Sequence, residues 1–382
     1  MITLKKITII LSIFIIILIG TTNVFAYDSS ESSIIMEEET GRVLYEKNSQ
    51  RKMLIASTTK IMTAIIVIEN AKLTEIVKVG KEILKMYGTN IYLDVGEEIS
   101  IEDLLYGLIL RSGNDAAIAL ANYIAGSEEK FVQLMNDKAK EIGMNNTIFN
   151  NSHGLDDNEK NYSTAYDMAL LSVYANKNST YKKISNTKTF SAKSNNKTYL
   201  WYNRNKLLQQ YEYCTGGKNG YTPNAGKTLV STATKDSLIL TIITLNDSDC
   251  YRTHKSLYEK YFNKYKNYTI VKKGNKYTYN KRTYLAAENF TYPMSTEEKE
   301  NLNIEINGKN QKYLSIKLYN KEIGKIKLDK MRQKKEAKTL LQKMSYLFDS
   351  LKKFILGRQN NLNPGPLVPN PLEINNSESS IL

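Results

Sequence analysis

A serine and a lysine three positions apart stand directly before an apolar run. Ser57 and Lys60 lead into residues 61–68, which are Ile, Met, Ala and Val with a single Thr. If this run forms a helix, positions i and i+3 lie on one face, so the hydroxyl and the amine can meet. A lysine held against apolar neighbours loses proton affinity and can then activate a serine as a base. The spacing also fits an ordinary helix cap, so its meaning depends on the rest of the chain.

The N-terminus indicates export. Lys5 and Lys6 precede an apolar run over residues 7–19, and residues 24–26 (Val-Phe-Ala) form a small-x-small cleavage signal. This pattern predicts a signal peptide over residues 1–26, with an uncleaved membrane anchor as the alternative. We therefore expect an exported protein at the outer face of the cytoplasmic membrane, or one secreted to the cell wall.

Composition restricts the classes of partner. The 382 residues carry a formal net charge of +14 and are 41% hydrophobic, which allows a sizeable core and favours an anionic partner. The lysines are scattered and no nucleic-acid-binding module is present, so no nucleic acid is expected. Two histidines, His153 and His254, argue against a zinc site, and no metal or cofactor is predicted. Cys214 and Cys250 either pair in an oxidising compartment or remain buried thiols.

The first domain, over residues 27–265, is predicted to be α/β. Strand patterns occur at both of its ends, over 33–36 and 42–45 and again over 227–234 and 237–245, where a hairpin is indicated. These strands predict an antiparallel sheet assembled from both ends of the chain. Capping and periodicity signals between them predict an all-α subdomain, with helices over 100–110 and 115–125 and a third that is capped by Ser127 and ends at Gly143. A further helix, capped by Ser163, is predicted through Ala175.

The residue pattern changes in the C-terminal part of the chain. Short alternating strands separated by turns predict a small β domain over residues 266–330. Residues 331–357 predict a helix that is basic on one side and suits an anionic membrane interface, with packing on its own domain or on a partner as the alternative. Proline-rich residues 358–382 predict a disordered tail. The apolar face of the helix consists of Leu340, Leu341, Met344, Leu347, Phe348, Leu351 and Ile355.

Three short motifs follow one another along the chain. Ser57-x-x-Lys60 is followed by residues 112–114 (Ser-Gly-Asn) and 218–220 (Lys-Asn-Gly). The set is typical of penicillin-binding proteins and related serine enzymes. Over residues 33–262 the chain resembles the low-molecular-mass penicillin-binding proteins, the serine-type D-alanyl-D-alanine carboxypeptidases of peptidase family S11. The resemblance also rests on residues 56–64, 111–117, 153–156, 162–165 and 220–223.

This resemblance implies a β-lactamase/transpeptidase-like fold, in which an antiparallel sheet is flanked by helices, and a role for each motif residue. Ser57 would attack the penultimate D-alanine of a peptidoglycan stem peptide, and β-lactams would acylate the same serine. The backbone N–H groups of Ser57 and Tyr221 would form the oxyanion hole. The remaining implied roles are Lys60 as base, Ser112 as proton relay, Asn114 at the substrate amide, Lys218 at the substrate carboxylate, and Asn219, Gly220 and Tyr221 in substrate binding.

One departure from the family pattern leaves alternatives open. Asn219 replaces the Thr or Ser of the third motif, so a catalytically impaired wall-peptide-binding pseudoenzyme is one alternative and a peptidoglycan DD-endopeptidase another. A class A β-lactamase is disfavoured, because no Glu-x-x-Leu-Asn segment lies between Asn114 and Lys218. A Ser-His-Asp hydrolase built on His153 and Asp156 is disfavoured because the histidine lies in a turn-like Ser-His-Gly.

Overall fold

The computed structural model describes residues 26–331 and 338–359. The predicted signal peptide, apart from its last residue, lies outside the described residues, as does the predicted tail beyond residue 359. The predicted boundary at residue 265 falls between a helix that ends at Lys264 and a strand that begins at Lys266.

Strands occur in two groups, one in each predicted domain. Their bounds in chain order are β1 Ser30–Glu37, β2 Val43–Lys47, β3 Met53–Leu54, β4 Ile76–Lys78, β5 Glu98–Ser100, β6 Tyr162–Ser163, β7 Thr189–Lys193, β8 Thr198–Tyr202, β9 Cys214–Thr222, β10 Gly226–Lys235, β11 Leu238–Asp247, β12 Lys266–Val271, β13 Lys276–Tyr279, β14 Arg282–Ala286, β15 Phe290–Met294, β16 Leu302–Asn307, β17 Tyr313–Leu318 and β18 Lys321–Lys330.

Most helices lie between β3 and β9. The α-helices are α1 Lys60–Asn70, α2 Ile101–Tyr106, α3 Asn114–Ala125, α4 Glu128–Ile142, α5 Ala165–Asn176, α6 Ser179–Asn186, α7 Leu207–Gln210, α8 Cys250–Lys264, α9 Thr296–Lys299 and α10 Lys338–Gln359. Two 3₁₀ turns occupy Ala56–Thr59 and Lys81–Lys85, and a π-helical turn, Gly107–Arg111, continues α2.

The main sheet is antiparallel with the strand order β2-β1-β11-β10-β9. The central strand pair joins the two ends of the domain, since Ile35 of β1 lies opposite Ile242 of β11. Apolar residues alternate to both faces: Ile34 and Ile243 pack in the core that includes α1, whereas Ile35 and Ile242 pack in the core that includes α8. The predicted α/β fold with an antiparallel sheet is confirmed.

Local signals set most helix ends as predicted, with two corrections. Gly126 ends α3 in the left-handed region at φ +78°, and the Ser127 side chain accepts from the Lys130 amide to start α4. The helix predicted through Leu110 leaves α geometry at Tyr106 and becomes the π-helical turn. Ser163 was the wrong cap for α5, because Thr164 accepts from the Asp167 amide at 3.0 Å.

The second group of strands forms the small β unit, defined here as residues 266–330. It contains a five-stranded sheet in the order β13-β14-β18-β17-β16 and the ribbon β12-β15, packed around apolar residues such as Leu314 and Ile326. Arg42, in the turn between β1 and β2, ties this unit to the main sheet. Its guanidinium pairs with Glu298 at 2.5 Å and lies 5.1 Å from the centre of the Tyr292 ring.

Helix α10 extends two residues past its predicted end at 357. The seven predicted apolar side chains are each at least half exposed, so the rest of the described chain leaves this face uncovered. Packing on its own domain is thus not what the structure has. Within residues 26–331 and 338–359, no helix is long and apolar enough to cross a membrane.

Candidate active site

Ser57 and Lys60 meet at the junction of the 3₁₀ turn and α1. In a 3₁₀ turn positions i and i+3 are eclipsed, so this short segment aligns the two side chains more closely than an α-helix would. The Lys60 amine donates to the Ser57 hydroxyl at 3.0 Å. The lysine is fully buried, whereas the serine is half-buried.

The buried lysine amine is held by two further acceptors. It donates to the Asn114 side-chain oxygen at 2.7 Å and to the His153 backbone carbonyl at 2.5 Å. Burial holds the pKa of the Lys60 amine well below its usual 10.5, and the positive charges of Lys218 and Arg204 act in the same direction. Asp115 opposes them. A lysine whose pKa is lowered in this way can serve as the base for the adjacent hydroxyl.

The second motif stands at the break between the π-helical turn and α3. Ser112 adopts the left-handed conformation at φ +65° and is 5% exposed. Asn114 begins α3, and its side-chain N–H donates to the Tyr87 carbonyl at 2.7 Å. Both ends of the Asn114 amide are therefore engaged by the protein. In this structure the amide holds Lys60, and its role at the substrate amide stays a prediction.

The third motif lies on β9, the edge strand of the main sheet. Lys218 is buried, and its amine donates to the Asn219 carbonyl at 2.6 Å. Burial, reinforced by the charge of Arg204, lowers the pKa of Lys218 to about 7. Near neutral pH, the Lys218 amine therefore exchanges between its charged and neutral forms. Asn219 is half-buried and Tyr221 is exposed.

Two glycines allow the backbone around Ser57 to pack closely. A Cβ placed on Gly220 would lie 2.8 Å from the Ser57 nitrogen. A Cβ on Gly154, whose φ is +86°, would lie 2.1 Å from the Ala56 carbonyl oxygen and 3.0 Å from the same nitrogen. The loop that carries Gly154 is fixed to the end of β9, because the Thr222 hydroxyl donates to Asp156 at 2.5 Å. The peptide preceding the serine is thus confined from both sides.

His153 contributes through its backbone rather than its ring. Burial and the charge of Lys60 lower the pKa of the ring to about 3, so it stays neutral. The ring accepts from the Leu155 amide at 3.1 Å and lies 3.7 Å from Glu128. Since Asp156 bonds Thr222 instead, residues 153 and 156 do not form the Ser-His-Asp arrangement considered from the sequence.

Sequence reasoning missed Arg204. It lies in the loop between β8 and α7, donates to the Thr89 hydroxyl at 3.0 Å, and lowers the pKa of both Lys60 and Lys218. No motif marks it, and only the folded arrangement brings its charge close to the two lysines.

Both cysteines are thiols rather than halves of a disulfide. Cys214 and Cys250 are free and buried, and burial raises the pKa of the Cys250 thiol to about 12. In the described part of the chain, no group of three or more His, Cys, Asp or Glu side chains could hold a metal ion.

A serine bonded to a buried lysine of lowered pKa, beside the edge of an antiparallel sheet, is the arrangement of a serine–lysine acyl-transfer enzyme. The sequence profile of the peptidase S11 family, described as D-alanyl-D-alanine carboxypeptidase, matches residues 22–249, more than half of the chain. The protein belongs to this family, which confirms the resemblance.

Individual relatives support the same family assignment. The chain is 38% identical over 215 residues to D-alanyl-D-alanine carboxypeptidase DacF of Bacillus subtilis, covering 55% of each chain. It is 37% identical over 236 residues to D-alanyl-D-alanine carboxypeptidase DacC of Escherichia coli, covering 56% of this chain and 55% of that protein. The matched stretch therefore spans little more than half the length of these relatives.

Solved structures show the same architecture over a longer stretch. Penicillin binding protein 5 from Haemophilus influenzae aligns with a TM-score of 0.69 at 26% identity, covering 82% of this chain and 98% of that chain. A serine-to-alanine mutant of the Streptomyces K15 DD-transpeptidase aligns with a TM-score of 0.58 at 31% identity, covering 62% of this chain and 97% of that chain. The first alignment thus takes in much of the chain beyond residue 249.

Proposed function

We propose that the protein is a penicillin-sensitive serine-type D-alanyl-D-alanine carboxypeptidase that trims peptidoglycan stem peptides. The observation that carries this proposal is the 3.0 Å contact between the Ser57 hydroxyl and the buried, pKa-depressed amine of Lys60. Family membership supports the choice of substrate.

In the proposed reaction, Ser57 attacks the carbonyl carbon of the penultimate D-alanine while its proton passes to Lys60. The Ser57 and Tyr221 amides stabilise the oxyanion; such donors are typically worth about 3 kcal/mol each. As the C–N bond breaks, Ser112 relays a proton to the nitrogen of the departing D-alanine. Water then hydrolyses the ester, releasing the shortened peptide and restoring the serine.

Substrate recognition would centre on β9. Protonated Lys218 attracts the terminal carboxylate, and Asn219, Gly220 and Tyr221 line the path of the peptide. An asparagine amide can donate to the same carboxylate, but it is longer than the threonine hydroxyl that the family pattern has there. We therefore propose reduced rather than absent turnover.

Release of D-alanine from a peptide ending in D-Ala-D-Ala tests this function, with Ser57→Ala as the control. Release that vanishes in the control supports the carboxypeptidase. Binding without release, by a folded protein, identifies a wall-peptide-binding pseudoenzyme. Cleavage of cross-linked dimers faster than release of D-alanine identifies a DD-endopeptidase.

We also propose that the protein acts outside the cytoplasm, on the outer face of the cytoplasmic membrane. The uncovered apolar face and the basic side of α10 suit an anionic membrane surface. Deleting residues 340–382 should move the protein to the soluble fraction. Continued sedimentation with membranes would instead assign the anchor to the N-terminal segment.

A further inference from the structure

A basic groove lies on the small β unit, apart from the catalytic serine. It has a volume of about 530 Å³ and opens between the β13–β14 turn, the loop joining β16 to β17, and the end of β18. None of the candidate catalytic or substrate-binding residues lines it. Its volume is within the usual range for small-ligand sites.

Strand register places the groove residues on one face. Tyr279 lies opposite Arg282, and Tyr284 lies opposite Lys330. Directly opposed residues share a face, and so do residues two positions apart on a strand, so the four side chains project together. Two tyrosines and two cations therefore meet at one end of the sheet.

Positive charge in the groove is not neutralised. Arg282, Lys309, Lys312 and Lys330 line it, and none forms an ion pair with a carboxylate in the part of the chain that the structure describes. The acidic lining residue, Asp329, lies 3.5 Å from Lys327. Four cations gathered in one concave site repel one another, so an anion that enters relieves this repulsion and gains charge-assisted hydrogen bonds.

The wall of the groove is formed in advance. Gly308 has φ +95°, and a Cβ there would lie 2.1 Å from the Gln311 carbonyl oxygen, so the loop is tightly folded. The Gln311 side-chain N–H donates to the Leu328 carbonyl at 2.8 Å, and the Leu328 amide donates to the Lys312 carbonyl at 2.9 Å. The amine of Lys312 lies 4.3 Å from the centre of the Tyr279 ring. The backbone of this wall therefore needs little reordering when a ligand binds.

Chain connectivity keeps this groove near the C-terminal helix. Lys330 ends β18 and Lys338 begins α10, so the eight intervening Cα–Cα steps can span no more than about 30 Å. With the apolar face of α10 in a bilayer, this short connection lets the groove reach the lipid headgroups.

We propose that the groove binds the phosphate group of an anionic membrane lipid. Arg282, Lys309 and Lys330 contact the phosphate oxygens, and Tyr279 packs against the rest of the headgroup. The inference rests on the proposed membrane association for its choice of lipid, while the phosphate chemistry follows from the groove alone. Helix and groove together give two separated contacts with one surface.

The test uses the full chain and two charge-matched triple variants. The groove variant carries Arg282→Gln, Lys309→Gln and Lys330→Gln. The control variant carries Lys272→Gln, Lys273→Gln and Lys321→Gln, which removes the same charge from exposed positions at the other end of the strands. Co-sedimentation is measured with vesicles of equal parts phosphatidylglycerol and phosphatidylcholine. Calorimetry measures binding of monomeric dihexanoylphosphatidylglycerol, with inorganic phosphate as a competitor.

A basic residue at an anionic surface is worth about fivefold in partitioning, so the groove variant should bind the vesicles at least about tenfold more weakly. The control should stay within about twofold of the wild type, because its lysines lie away from the contact. Loss of the short-chain lipid signal in the groove variant alone supports the site. Equal losses in both variants, or none in either, overturn it.

The remaining outcomes separate the sources of phosphate and the two proposals. If inorganic phosphate binds the groove as tightly as the short-chain lipid does, the groove is a site for free phosphate and the lipid proposal fails. If a purified cell-wall polyanion displaces the short-chain lipid more strongly than inorganic phosphate does, the groove is a site for the wall and the lipid proposal also fails. If wild-type protein ignores vesicles but binds the short-chain lipid in the groove, the membrane proposal fails and the phosphate site stands. D-alanine release should be the same in all three proteins.

Discussion

The closeness of Gly154 to the peptide before the serine yields a sharp prediction. In Gly154→Ala the new Cβ would lie 2.1 Å from the Ala56 carbonyl oxygen, with that residue's carbon at 2.5 Å and the Ser57 nitrogen at 3.0 Å. Contacts below 3.0 Å cannot persist, so the Ala56–Ser57 peptide or the loop must move by about 1 Å. A misplacement of that size can cost about a hundredfold in rate. We expect acylation by a fluorescent penicillin to slow by about that factor.

The chain provides a matched control for backbone strain. Gly96 has φ +87°, almost the value at Gly154, and a Cβ there would meet nothing within 4 Å. Gly96→Ala should lose about 1–2 kcal/mol of unfolding free energy in urea, because it forces an L-residue into the left-handed region. Gly154→Ala should lose at least as much, because it must also relieve the contact with the Ala56 carbonyl. Only Gly154→Ala should lose acylation rate, and Gly96→Ala should stay within about twofold of the wild type.

The refuting result is specific. If folded Gly154→Ala acylates as fast as Gly96→Ala, then the placement of the Ser57 amide does not limit the reaction, and the oxyanion role proposed for it is wrong. If both variants slow equally, the loss comes from strain and not from the contact.

Three other predictions concern β9 and the link between the two units. Asn219→Thr should raise turnover, since the shorter hydroxyl restores the family pattern, and equal rates would contradict the assigned cause. For a peptide with a free terminal carboxylate, KM should rise as pH increases through about 7, because Lys218 loses its proton there; a substrate amidated at that carboxylate is the control, and a parallel rise for it would assign the effect elsewhere. Arg42→Gln should cost about 2 kcal/mol of unfolding free energy, because it leaves Glu298, with a side chain only 14% exposed, without its partner. Arg51→Gln, at a pair whose side chains are 58% and 32% exposed, should cost less than about 0.5 kcal/mol, and equal losses would show that burial does not set the difference.

Local signals in the sequence predicted most of the helices and strands that build the fold. The apolar run after Lys60 indicated α1, the caps at Gly126 and Ser127 marked the ends of α3 and α4, and β-rich runs indicated the hairpin β10–β11. Each of these depends on residues within a few positions of one another, so the sequence alone was informative.

The details of the candidate site depend on contacts between distant segments. Lys60 meets the carbonyl of residue 153 only because the loop around Gly154 packs against the 3₁₀ turn, and no spacing rule encodes that approach. The same holds for Asn114, whose amide spans Lys60 and the Tyr87 carbonyl. The burial of Lys218 depends on how β9 lies against its neighbours in the fold.

The sheet built from both ends of the chain makes the order of synthesis matter. Ser30 on β1 lies opposite Asp247 on β11, so the strand next to the N-terminus has no central partner until more than two hundred further residues are available. Contacts this distant in sequence form late, because loop closure must precede them. In a chain exported from its N-terminus, Ser57 would cross the membrane well before β9, which carries Lys218 and Gly220. If export follows this order, the site is complete, and the proposed activity can begin, only after β9 has crossed the membrane.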